Sequence, residues 1–139
     1  MTSSGAEPQP RLVLDTSAYS RMRAGHETVL ESVAAAETVR MPVTVLGELE
    51  AGFVLGSRTR ANRLALAEFL AEPFVSILPV SPEVARRYGQ IFAGLRRAGT
   101  PIPVNDIWIA ASAIDCGGHL LTFDKGFRRI PSLDHTILG

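Results

Sequence analysis

Four acidic residues, Asp15, Glu48, Asp106 and Asp124, sit in the most apolar stretches of the chain, in Leu-Val-Leu-Asp, Val-Leu-Gly-Glu-Leu, Val-Asn-Asp-Ile-Trp-Ile and Leu-Leu-Thr-Phe-Asp. An ionised carboxylate beside an apolar core is costly unless something cationic compensates it. Four such placements point to one shared positive partner, a bound metal ion. Oxygen-only ligands select a hard ion, Mg2+ or Mn2+. His26, His119, His135 and the single Cys116 show no zinc spacing, and the histidines read as surface or loop residues. Mg2+ takes one or two carboxylates together with waters and substrate phosphates, which suits phosphodiester hydrolysis. The ion would acidify a water and neutralise charge on the phosphorane.

Each acid also has a structural explanation when taken singly. Asp15 and Asp106 can cap helices, Asp124 can serve a turn, and Glu48 can face solvent. A metal site explains all of them by one cause.

The elements that must position these acids can be read from the pattern. Leu12 to Leu14 is a short strand ending at Asp15, with Thr16 or Ser17 placed to cap the helix that follows. Glu27 to Ala36 has helical spacing, and Val39 to Met41 is a brief strand closed by Pro42. Thr44 is expected to cap a helix carrying Glu48 in its first turn or so and ending at Gly56. Arg60 to Leu70 is amphipathic and Val75 to Leu78 a strand. Ser81 starts a helix to about Arg97, with Pro82 and Glu83 suited to its first turn.

After the Gly99 to Pro103 loop, Asn105 or Asp106 is expected to cap a helix from Ile107 to Cys116. That helix is apolar almost all round and therefore buried, and Gly117-Gly118 ends it. Leu120 to Phe123 reads as a buried strand, Asp124 to Ile130 as a turn with a short helix, and Thr136 to Leu138 as an edge strand. Strands alternating with helices imply an α/β fold of three layers: a mostly parallel sheet of four to five short strands with helices on both faces. At the carboxyl edge of such a sheet the four acids can converge.

The chain has 139 residues, enough for one domain, expected over residues 11–139, with residues 1–10 a flexible leader. Fourteen basic residues balance fourteen acidic ones, which excludes bulk attraction to a polyanion and leaves any nucleic-acid contact to a local patch. All the basic residues except Lys125 are arginine. One cysteine excludes an intrachain disulfide, and with no secretory pattern the expected location is cytoplasmic. No apolar run approaches the roughly 18 residues that cross a bilayer.

Together, Val-Leu-Asp15-Thr-Ser, Leu-Gly-Glu48-Leu with Gly52, Asn105-Asp106-Ile-Trp-Ile-Ala-Ala and Leu-Thr122-Phe-Asp124-Lys-Gly-Phe127 resemble a PIN-domain ribonuclease, specifically the VapC-type toxins of toxin-antitoxin pairs. The resemblance covers Arg11 to the C-terminus. It implies a PIN-like fold and a Mg2+- or Mn2+-dependent endoribonuclease that cuts RNA and so inhibits translation. A small cognate antitoxin from the same operon would hold it inactive, in a homodimer assembling into a heterotetramer or larger complex.

Carried over, Asp15, Glu48 and Asp106 form the principal metal site, and Asp124 completes it or supports a second ion. Asn105 and Thr122 orient the carboxylates. Ser17 stands where many relatives have Asn, and Trp108 is bulkier than the usual occupant. Arg21, Arg23, Arg58, Arg60, Arg63, Arg96 and Arg97 are candidates to rim the crevice or to be solvated helix faces. Phe53, Val54 and Leu55 read as core, with a dimer or antitoxin surface as the alternative.

Two other functions compete. A phosphoryl-accepting switch needs an acceptor aspartate after the central strand and a second acid beside the first. Val75 to Pro79 offers none, and Thr16 and Ser17 follow Asp15. A non-catalytic PIN-like RNA- or protein-binding module is the remaining alternative, and the four intact acids weigh against it.

Overall fold

The structure, a computed structural model, describes residues 8–139; the first seven residues of the expected leader lie outside the described residues. Five strands form one sheet: β1 (Arg11–Leu14), β2 (Thr38–Pro42), β3 (Val75–Leu78), β4 (His119–Thr122) and β5 (His135–Ile137). All neighbours pair in parallel in the order β3-β2-β1-β4-β5. The helices are α1 (Thr16–Arg23), α2 (Glu27–Ala35), α3 (Val43–Leu55), α4 (Thr59–Leu70), α5 (Pro82–Ala98) and α6 (Val104–Asp115), with a 3-10 helix at Lys125–Arg129.

The chain runs outward from β1 through β2 to β3, then returns to place β4 on the other side of β1. The order therefore reverses between β1 and β4, the point where an open parallel sheet leaves a crevice at its carboxyl edge. Leu12, Val13 and Leu14 point alternately to the two faces, yet they are 1%, 0% and 0% exposed, so both faces are covered. Val39, Met41, Leu120 and Leu121 extend the same core. Each such side chain contributes about 1.5–3 kcal/mol on burial.

The turn into β4 needs both of its glycines. Gly117 has φ +66°, a left-handed conformation, and a Cβ on Gly118 would stand 2.6 Å from Val13 Cγ2. That close approach brings the start of β4 against β1.

Several expected helix starts are displaced. Residue Asp15 itself, rather than Thr16 or Ser17, caps α1, accepting from Ala18 N. Helix α3 begins at Val43 after Pro42, and Thr44 Oγ1 is buried without a partner rather than capping. Helix α6 begins at Val104 after Pro103, so neither Asn105 nor Asp106 is its cap. The cause is shared: each proline holds the extended φ and ψ of an N-cap position, −57° and 139° at Pro42 and −56° and 143° at Pro103. Both helices therefore start earlier than their polar residues suggest. Asp106 consequently lies inside the first turn of α6, near the positive end of its dipole, and Glu48 falls in the second turn of α3.

Two burial expectations are corrected. Val54 and Leu55 are 60% and 87% exposed, so they are surface, although Phe53 packs partly against the core. His119 is buried at 8% exposure, because it opens the interior strand β4 rather than a loop.

Candidate active site

Asp15 follows β1 directly and its carboxylate is fully engaged. Oδ1 accepts from Ala18 N at 2.8 Å and from Ser17 Oγ at 2.7 Å. Oδ2 accepts from Thr122 Oγ1, at the end of β4. The residue is 4% exposed, and burial pushes its carboxyl above the ordinary aspartate range despite these hydrogen bonds. Thr122 is completely buried, and its hydroxyl also accepts from Asp124 N at 3.0 Å. One hydroxyl thus locks the β1 acid to the segment carrying the β4 acid.

Glu48 reaches the same edge from α3. Its Oε1 accepts from Thr16 Oγ1 at 2.5 Å and its Oε2 from Asn105 Nδ2 at 3.4 Å. Thr16, read from the sequence only as a cap, is therefore a carboxylate-orienting residue. The signal for this role was its place beside Asp15, but its partner lies 32 positions away. Asn105 connects α6 to α3, and Asp124 is exposed and caps the 3-10 helix through Gly126 N.

Asp106 shows how the four acids interact. Its carboxyl is pushed up to about 7, first by burial, then by the charge and hydrogen bond of Asp124, then by the charges of Glu48 and Asp15. Every charged group that shifts it is another carboxylate. Among the described residues, Glu50 pairs with Arg63, Asp115 with Arg87 and Asp134 with His119, but none of the four acids at this edge enters an ion pair.

The structure thus brings together Asp15, Glu48, Asp106 and Asp124, with Asn105 and Thr122 bonded to members of the set. Among the described residues no three acidic, histidine or cysteine groups stand ready-made as a metal cage. The side chains of Asp15 and Glu48 are instead held by hydroxyl and amide donors. The donor set nevertheless suits a hard cation: it is all oxygen, concentrated in negative charge, partly buried and without a basic partner. A cavity of about 460 Å3 between α5, α6 and Ile130–Ser132 has no acid in its lining and lies apart from this chemistry.

Comparison with known proteins agrees with this architecture. The PIN domain family matches residues 12–133. Ribonuclease VapC5 of Mycobacterium tuberculosis is 32% identical over 117 residues, covering 83% of this chain and 84% of that protein. Ribonuclease VapC2 of Rickettsia felis is 32% identical over 105 residues, covering 75% and 77%. The crystal structure of VapBC2 from Rickettsia felis bound to a promoter DNA fragment superposes with a TM-score of 0.81 at 25% identity, covering 92% of this chain and 98% of that one. VapBC-5 from Mycobacterium tuberculosis gives a TM-score of 0.73 at 29% identity, covering 93% and 100%.

Proposed function

The chain belongs to the PIN-domain family, among its VapC ribonucleases, and from that premise we propose that it is a Mg2+- or Mn2+-dependent endoribonuclease serving as the toxin of a toxin-antitoxin pair. The observation that carries the reading is the set of four carboxylates converging at the carboxyl edge of the sheet with no ion-pair partner among the described residues. Such a concentration costs stability unless the working state supplies positive charge.

Asp15, Glu48 and Asp106 are the residues that would hold the ion, with Asp124 completing the site or supporting a second ion. A bound ion would supply positive charge to the phosphoryl oxygens and acidify water at neutral pH. The protein's own contribution is rigidity. Ser17, Ala18 N and Thr122 fix both oxygens of Asp15, while Thr16 and Asn105 fix those of Glu48. Burial and the neighbouring acids raise the Asp106 carboxyl, which favours its neutral form and lowers the repulsion within the set.

The cellular reading is translation inhibition through RNA cleavage, with restraint by a small antitoxin from the same operon. Its support is that the superposable structures include VapBC complexes, among them ones from Rickettsia felis and Salmonella typhimurium solved on DNA. Val54, Leu55 and Leu64 give α3 and α4 an exposed apolar surface suited to a homodimer or antitoxin contact, in a heterotetramer or larger assembly. No helix among the described residues is long and apolar enough to cross a membrane.

The test is incubation of purified protein with RNA in chelator and then with added Mg2+ or Mn2+. Cleavage is expected only with the ion, and Asp15→Asn is expected to abolish it while circular dichroism stays unchanged. Full activity in excess chelator would refute the metal dependence. RNA that is bound but left intact with Mn2+ would favour the non-catalytic module.

A further inference from the structure

Phe123 stands between Thr122, which donates to Asp15, and Asp124. Its backbone N–H donates to Ser17 Oγ at 3.0 Å, so it is pinned to the first turn of α1. Two side chains gather around its ring. The Arg21 guanidinium carbon lies 4.5 Å from the ring centroid. The His26 imidazole meets the ring edge-on, with centroids 5.0 Å apart and planes at 77°. Arg21 is exposed, while Phe123 and His26 are half-buried. Among the described residues Arg21 enters no ion pair, although four carboxylates lie at the same sheet edge.

Core packing alone would ask only for an apolar side chain here. The observed assembly is a cation and two rings near the surface, with Phe123 adjacent in sequence to Asp124 and to the Thr122 that bonds Asp15. We propose that Arg21, Phe123 and His26 form a base-stacking subsite that receives one unpaired nucleotide of an RNA beside the phosphate to be cut. This rests on the nuclease reading above.

The physical need for such a subsite follows from the charges. The chain has fourteen basic and fourteen acidic residues, and four acids concentrate where a phosphate must approach. Electrostatics therefore supplies little hold on the backbone, and stacking, which charge does not oppose, supplies it instead. Unpaired RNA bases stack on aromatic rings and on guanidinium planes, and Arg21 over Phe123 offers both in one column. Arg21 can also meet the flanking phosphate.

The experiment uses the full chain and a mixed-sequence single-stranded RNA, with binding measured by fluorescence anisotropy in chelator and cleavage measured with Mn2+. Phe123→Leu keeps apolar bulk and removes the π-face. It is expected to weaken RNA binding and raise KM roughly tenfold, the scale of one lost base stack, with kcat unchanged. Phe123→Tyr is expected to restore both values. Arg21→Lys keeps the charge and loses the plane, so it should resemble Phe123→Leu.

Binding and KM at wild-type values in Phe123→Leu and Arg21→Lys, in an active enzyme, would overturn the subsite and leave the nuclease reading standing. A wild-type protein that binds RNA without cutting it, and loses that binding in Phe123→Leu, would leave the subsite standing and remove the nuclease. Wild-type protein that neither binds nor cuts RNA overturns the subsite as well.

Discussion

At the carboxyl ends of β1 and β4, Asp15, Glu48, Asp106 and Asp124 gather like charge with no basic partner among the described residues, whereas at the amino ends of β4 and β5 polar groups of different kinds meet. There His119 Nε2 lies 2.7 Å from Thr136 Oγ1, and its Nδ1 approaches Asp134 Oδ2 to 3.0 Å. Arg11 and Glu37 line the same amino-end hollow. The two clusters share one sheet, but Arg11, Glu37 and Asp134 are exposed while Asp15 is buried and Glu48 and Asp106 are half-buried. Polar groups of complementary character, such as His119 and Thr136, lower the energy of the folded chain by themselves. A set of like charges does so only with something added, which is why the carboxyl edge is the place for function and the amino edge a place for stability.

The largest expected effect separates the two edges outright. Asp15→Asn keeps the shape and the helix cap while removing charge, and RNA cleavage should fall by at least about 100-fold, with the melting temperature little changed. His119→Ala at the other edge should leave cleavage per folded molecule at wild-type values. If it silenced cleavage as Asp15→Asn does, the division between the edges would collapse.

Next in size is Thr122→Val, which removes the donor to Asp15 and the acceptor for Asp124 N. A loss of about 10- to 100-fold in activity or Mn2+ affinity is expected, read from titrations of initial rate against the ion. The stability arm follows: His119→Ala should cost about 1–3 kcal/mol in urea unfolding, because Thr136 loses a buried partner.

The pH dependence sharpens the comparison further. The Asp106 carboxyl is pushed up from 3.8 to about 7, so between those values the folded state holds a proton that the unfolded state has released. Stability contributed by that proton is complete below the lower value and is lost as pH rises through the upper one. In chelator, Asp106→Asn should therefore melt higher than wild type above pH 7, and no higher near pH 4. The gain should be on the order of 1 kcal/mol after allowance for solvent screening of a half-exposed group. A gain independent of pH would show that charge repulsion is not its source. Smallest of all, Leu55→Ser should change stability by less than about 0.5 kcal/mol in the monomer, since that side chain lies in solvent.

Much of this was legible along the chain, and the parts that were not share a cause. Strands such as Leu12–Leu14 and Val75–Leu78 announce themselves because both are short apolar runs bounded by polar or turn residues. Ser81 and Pro82 start α5 as expected because cap and ring act on their own neighbours. Thr44 and Asn105 misled because a proline two residues upstream had already begun each helix. Leu55 looked like core and His119 like loop because burial depends on which elements cover a position, and composition does not report that.

The sequence by itself determined the alternation of strands and helices, the order of the four acidic motifs and the family they resemble, since all of these depend on near neighbours and spacing. Only the tertiary structure decided that Thr16 serves Glu48, that Thr122 bridges Asp15 to Asp124, that burial and then three other acids raise the Asp106 carboxyl, and that Arg21 lies over Phe123. These are distances across a sheet whose order reverses between β1 and β4. Coulombic and hydrogen-bond energies depend on distance through space, and the chain fixes that distance only by folding.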